Sequence, residues 1–121
     1  MPDNIIRPTI DSYVFGRMVI GGKPYTSDLI IFPDGRILSP WWRLAGHRLQ
    51  VPDMMELLAT DPDIVVAGTG AAGLMRPAGE LQALLTARGI DFIAEPTGRA
   101  YRTYNLLDAA KKVGACFHLT C

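Results

Sequence analysis

An α/β fold is expected of this chain, a layered domain with a central mixed, largely parallel sheet flanked by helices and an N-terminal antiparallel β-hairpin layer. Three observations predict it. Short β-type runs broken by turn residues fill the first fifty positions. Helix then strand alternates three times after them, the pattern of a parallel sheet with crossovers. The first strand of that alternation is an uncharged, β-branched run, Ile64 to Ala67, of the kind buried on both faces of a sheet.

The elements follow in order. Tyr13 to Ile20 carries Val, Phe and Ile around Gly16, and Gly21-Gly22-Lys23-Pro24 reads as a turn. Leu29 to Phe32 is apolar, Pro33-Asp34-Gly35 closes it, and Ile37 to Trp42 reads as the return strand. Pro52 suits the first turn of a helix, with Met54, Met55, Leu57 and Leu58 on its apolar face and Asp61-Pro62 after its end. Pro77 is expected to open the next helix, with Leu81, Leu84 and Leu85 inward and Gly89 at its cap. Ile90 to Ala94 is a strand. Thr97 reads as the cap of a third helix on which Ala100, Tyr104 and Leu107 recur, and Val113 to Leu119 is the last strand. With 121 residues, nearly half of them hydrophobic, and no linker or repeat, one domain spanning 1–121 is expected.

Composition excludes several function classes. Twelve basic and twelve acidic residues leave a formal net charge of zero. A sequence-independent nucleic-acid binder or a polybasic membrane-surface protein needs a cationic surplus. A balanced charge allows self-association, so a monomer or weak homodimer is expected. The N-terminal residues read as neither secretory signal nor transit peptide, and no segment approaches the ~20 apolar residues of a membrane span. A cytoplasmic protein is the expectation. At ~3.3 Å per strand residue, the steps from Cys116 to Cys121 exceed the ~7 Å Cα limit for a disulfide, which suits a reducing compartment.

Gly68-Thr69-Gly70-Ala71-Ala72-Gly73 spells G-x-G-x-x-G after a strand, with the acidic Glu95 at the end of the next. That is the pattern of a dinucleotide site. Pro77 stands against it, because it would fall inside the helix that the motif requires. The chain is also short, with only two strands left to follow. No cofactor is therefore assigned. Two other readings remain. The glycines serve a sharp turn, or the backbone N–H groups of Gly68, Thr69 and Gly70 bind a small anion beyond the carboxyl ends of the strands. Arg43, His47 and Asn105 are the side chains that can join such a ligand site.

His118 and Cys121 are spaced H-x-x-C, and His47 is the only other histidine. That set is too small for a closed zinc site, so no metal is assigned. Cys116 served by His47 is a conceivable nucleophile, but a buried thiol is the commoner role, and no catalytic residue is assigned. Trp41 and Trp42 face opposite ways if they share a strand, one to the core and one to an interface. Trp42, Arg99 and Arg102 are the candidate interaction residues, and a solvated face is the plainer role of the two arginines.

Several segments together resemble a known family. They are Tyr13-Val14-Phe15-Gly16, GGKPYTSD from Gly21 to Asp28, Trp42-Arg43 with His47, VAGTG from Val66 to Gly70, Thr97 with Ala100, Tyr104-Asn105-Leu106-Leu107, and the ending FHLTC. The chain resembles the small family of unknown function that includes the adipogenesis-associated domain protein and the mitochondrial NADH dehydrogenase (complex I) assembly factor three. The resemblance implies an α/β layered fold, no established enzyme activity, and a glycine turn without a fixed third glycine. One branch looks like an assembly factor acting through protein contacts. The expected function is a non-catalytic interaction or assembly-type domain. The alternative is a domain binding an anionic metabolite at Gly68–Gly70.

Overall fold

The computed structural model describes residues 7–121, so part of the N-terminal stretch read for targeting signals, residues 1–6, lies outside the described residues. Three short strands form the N-terminal layer: β1 (Ile10–Val14), β2 (Arg17–Ile20) and β3 (Lys23–Tyr25), antiparallel in the order β1-β2-β3. The turn between β2 and β3 is tighter than its sequence suggests. Gly21 and Gly22 alone make it, with φ of 55° and 81°. Two consecutive left-handed residues are what a two-residue hairpin turn demands. Lys23 and Pro24 belong to β3, an edge strand, where a proline is tolerated.

The central sheet has five strands. β4 (Leu29–Ile31) and β5 (Ile37–Leu38) form a hairpin through the Asp34-Gly35 turn. They are joined by β7 (Ile64–Thr69), β9 (Asp91–Glu95) and β10 (Val113–His118) in the order β5-β4-β10-β7-β9. β10 pairs parallel with β7 and antiparallel with β4, and β7 pairs parallel with β9. The sheet is therefore mixed, with a parallel half and an antiparallel half.

Strand alternation sorts the core into two layers. On one face Ile30, Val65, Ala67 and Cys116 meet Met54, Leu57 and Leu58 of α1 (Val51–Leu58) and Leu81 and Leu85 of α2 (Gly79–Ala87). On the other, Leu29, Ile31, Val66, Ala115 and Phe117 meet Ala100 and Tyr104 of α3 (Thr97–Leu106) and Ile10, Met18 and Ile20 of the hairpin layer. Every residue of β7 and β10 is buried, as a doubly covered strand requires.

The segments around positions 40 and 77 depart from the sequence expectation. Ladder pairing stops at Leu38, so Trp41 and Trp42 lie in a loop rather than on the return strand. Pro77 does not open a helix. It sits in β8 (Arg76–Pro77), paired in parallel with β6 (Arg48–Leu49), and α2 begins at Gly79. The ladder uses the amides on either side of the proline: Arg76 N–H donates to His47 O at 2.9 Å and Ala78 N–H to Leu49 O at 2.8 Å. The missing proline N–H costs nothing there. This small ladder carries the His47 loop to the carboxyl end of the central strands.

Candidate functional site

Beyond the carboxyl ends of β7 and β10, three distant stretches of chain converge. Asp28 precedes β4, Arg43 and His47 lie in the loop before β6, His118 ends β10, and Cys121 lies three residues further on. Asp28 organises them. One carboxylate oxygen accepts from the Leu119 N–H at 2.8 Å. The other lies 2.9 Å from Arg43 Nη1 and 2.8 Å from His118 Nδ1. Burial alone would raise the Asp28 carboxyl. The bonds from His118, Leu119 and Arg43, with the charge of His118, outweigh it and hold the group below its ordinary value.

A carboxylate oxygen only accepts, so His118 Nδ1 carries the proton that it donates to Asp28. The other ring nitrogen is Nε2. That atom is buried and has no hydrogen-bond partner among the described residues. The ring stands edge-on to His47, with centroids 5.8 Å apart. Across the same corner, Cys121 Sγ lies 4.0 Å from His47 Nε2, and the Cys121 side chain is exposed.

Arg43 is a structural member of the cluster. Besides Asp28, it donates from Nε and Nη2 to Gly46 O at 3.1 and 2.8 Å, and it lies over the Trp41 ring. Its side chain is only 5% exposed, so its donors are spent inside the chain.

The glycine run also looks inward. Gly68 and Thr69 are strand residues of β7, and the chain leaves the sheet only at Gly70, whose φ is 104°. A Cβ at Gly68 would meet Phe117 Cδ1 at 2.5 Å and Thr97 Oγ1 at 2.9 Å. One at Gly70 would meet Cys121 O at 2.6 Å and His118 Cδ2 at 2.8 Å. Of the amides expected to hold an anion, those of Gly68 and Thr69 lie in β7 and that of Gly70 is bonded, as are two further along the turn. Gly70 N–H donates to Thr97 Oγ1 at 2.9 Å, Ala71 N–H to Thr120 O at 2.7 Å and Gly73 N–H to Gly70 O at 3.1 Å. The turn admits the tail of the chain and the His118 ring at close range; it does not present these donors to solvent. Thr97 does not cap α3 with its side chain. Fully buried, it also donates to His118 O at 2.7 Å, tying the helix to both strands.

The remaining candidates separate. Asn105 is far from the cluster in role: Oδ1 accepts from Ile10 N–H and Nδ2 donates to Ile10 O, both at 2.9 Å, so it clamps β1 to α3. Arg99 and Arg102 are exposed on α3, and Arg102 lies against Tyr101. Cys116 is not beside His47. It packs in the core, and burial pushes its thiol up to about 12, with Asp28 and Asp53 adding to the rise and Arg43 opposing it. The thiol next to His47 is Cys121. Asp28 and Thr97 join the site although the sequence marks neither as a ligand or catalytic residue. The one available signal for Asp28 was an acid placed directly before an entirely apolar strand.

Trp41 is buried, and its Nε1 donates to Asp53 O at 3.0 Å. Trp42 is 82% exposed. It shares a surface groove with Leu38, Pro40, Leu44, Pro52 and Met55. Among the described residues, no helix is long and apolar enough to cross a membrane.

Residues 10–118 match a family described as proteins of unknown function (DUF498/DUF598). Among solved structures, a conserved hypothetical protein from Pyrococcus horikoshii OT3 is 28% identical, with 93% of this chain and 99% of that one covered and a TM-score of 0.80. The protein MT938 is 25% identical over 94% of this chain and 99% of that one, with a TM-score of 0.79. An outer membrane protein from Bartonella henselae is 27% identical over 95% and 97%, with a TM-score of 0.77. With the layered fold, the mixed sheet and a match over nearly the whole described chain, the protein belongs to the DUF498/DUF598 family, the family that its VAGTG and FHLTC segments resemble.

Proposed function

We propose that this protein works through protein contacts, as an interaction or assembly-type domain, and that it docks a partner on the face around Trp42. The exposure of Trp42 carries the reading. An indole 82% open to water, beside Leu44 at 74% and Met55 at 55%, is an apolar surface that a partner would bury. Trp is also among the residues that dominate binding energy when a partner covers them. The loop is firmly based, because Trp41 beneath it is packed and Arg43 is ion-paired. The indole is thus presented from a rigid base, which lowers the ordering cost of binding.

Against the competing reading, an anionic metabolite at Gly68–Gly70, stands the Gly70 N–H bond to Thr97 and the place of Gly68 and Thr69 within β7. Arg43 is likewise committed to Asp28 and Gly46.

Affinity capture with the wild-type chain and with Trp42→Ala tests the proposal. A partner recovered by the wild type and lost by the variant supports it, including a second copy of the chain detected by sedimentation. Identical recovery by both, or no partner and no self-association, overturns it.

A further inference from the structure

We propose that the outer edge of β9 docks an extended segment of a partner protein as a sixth strand of the central sheet, with Lys or Arg of that segment across from Asp91 and Glu95. β9 closes the sheet on the side opposite β5, from which the Trp42 loop leads off, so this surface is separate from the one around Trp42.

The backbone offers the template. Among the described residues β9 pairs with β7 alone, in an unbroken parallel register from Ile64↔Asp91 to Gly68↔Glu95. Asp91 N–H donates to Asp63 O at 3.0 Å, which sets the phase of that ladder. Parallel pairing uses alternate residues. Asp91, Ile93 and Glu95 therefore turn their amides and carbonyls to β7, while Phe92 and Ala94 turn theirs outward. Such a row of outward groups is what an added strand pairs with. The other edges of the two larger sheets are blunted. β3 carries Lys23 and Pro24, Asn105 takes both backbone groups of Ile10 in β1, and β5 is two residues long. β9 has five residues, with no proline, lysine or bulge among them.

The side chains choose the occupant. Asp91, Ile93 and Glu95 share the α3 face, where Ile93 packs on the core and Thr103 Oγ1 donates to Glu95 Oε1 at 2.6 Å. Phe92 faces α2 and walls an open groove with Gln82, Thr86, Gly89 and Ile90. Among the described residues neither Asp91 nor Glu95 is ion-paired. Two copies of β9 in full antiparallel overlap would set Asp91 against Glu95 twice, and like charges directly opposite are destabilising. A foreign strand with cations at those two positions meets attraction where a second copy meets repulsion. An apolar residue between them, beside Phe92, fills the groove.

Nuclear magnetic resonance titration of the full-length chain tests this, with the peptide Gly-Ser-Lys-Val-Thr-Leu-Lys-Ser-Gly as probe. Laid antiparallel, its lysines fall across from Glu95 and Asp91 and its leucine beside Phe92. At about 1 mM peptide, binding is expected to slow exchange of the Phe92 and Ala94 amides at least about threefold, and to leave the Trp42 indole signal in place. The same peptide with glutamate for both lysines is expected to bind at least about tenfold more weakly. Ala94→Pro removes an outward donor and leaves the β7 ladder intact, so it is expected to fold and to lose at least about fivefold in affinity. Asp91→Lys, at an exposed position, is expected to narrow the gap between the two peptides at least about threefold. No binding of the lysine peptide, binding that leaves both amides unprotected, or equal affinity for the two peptides would each overturn the proposal. So would a dimer of the free chain that Ala94→Pro dissolves, because the occupant would then be a second copy.

Discussion

Asp28 Oδ2 and His118 Nδ1 lie 2.8 Å apart although ninety positions separate them in the chain. The pair exists because β4 lies directly against β10 in the sheet, so the residue before one strand meets the end of the other. The same carboxylate holds Arg43 and the Leu119 amide, which makes Asp28 the single acceptor for three donors.

Asp28→Asn is expected to destabilise the protein by about 2–3 kcal/mol, because an amide nitrogen would face donors that need an acceptor. The effect depends on pH. The folded carboxyl lies below its ordinary value, so its stabilisation is present above the unfolded value of about 3.9 and is lost as pH falls through the folded one. Denaturant titrations of both proteins should show a gap that is constant near neutrality and narrows below about pH 4.

Thr97→Val should cost about 2–4 kcal/mol at nearly unchanged volume. The substitution leaves the buried Gly70 N–H without its acceptor and the His118 carbonyl without that donor. Serine in the same place keeps both bonds, so Thr97→Ser should melt closer to wild type than Thr97→Val does.

Gly70→Ala should destabilise by about 2 kcal/mol or more, since φ is 104° and a Cβ would strike the Cys121 backbone and the His118 ring. Hydrogen exchange should then show weakened protection of the Ala71 amide, which donates to Thr120 O. Unchanged protection would mean that the tail does not rest on this turn.

Asn105→Ala should cost about 1–2 kcal/mol through loss of its two bonds to Ile10, and exchange at the Ile10 amide should speed up most. Arg99→Ala, on the exposed side of the same helix, should fall within about 0.5 kcal/mol of wild type.

Trp42→Ala should also leave the melting curve within about 0.5 kcal/mol of wild type, because the side chain makes little of the core. Trp41→Ala should cost about 3–5 kcal/mol, since that indole is buried and hydrogen-bonded. The contrast between adjacent tryptophans separates a binding surface from a packing one.

Much of the architecture is legible from contiguous residues. The run from Ile64 to Ala67, the spacing of Leu81 and Leu85, and the Asp34-Gly35 turn each express a local preference or a period of two or 3.6, which neighbours in sequence suffice to reveal. The glycine run shows where that reasoning stops. Its letters are those of a phosphate loop, and the first glycine is needed for a different reason: Phe117 and Thr97, 49 and 29 positions away, leave no room for a Cβ at Gly68. Whether an amide is free depends on what packs over it, and here Thr97 Oγ1 and the Thr120 carbonyl take the donors. The cysteine choice follows the same rule. The sequence pairs Cys116 with His47 as a conceivable nucleophile, whereas strand alternation turns Cys116 into the core and it is Cys121 that lies beside His47. Local chemistry specifies the strands and helices; the order β4-β10-β7 specifies which polar groups meet at their ends, because hydrogen-bond partners are chosen by distance in space.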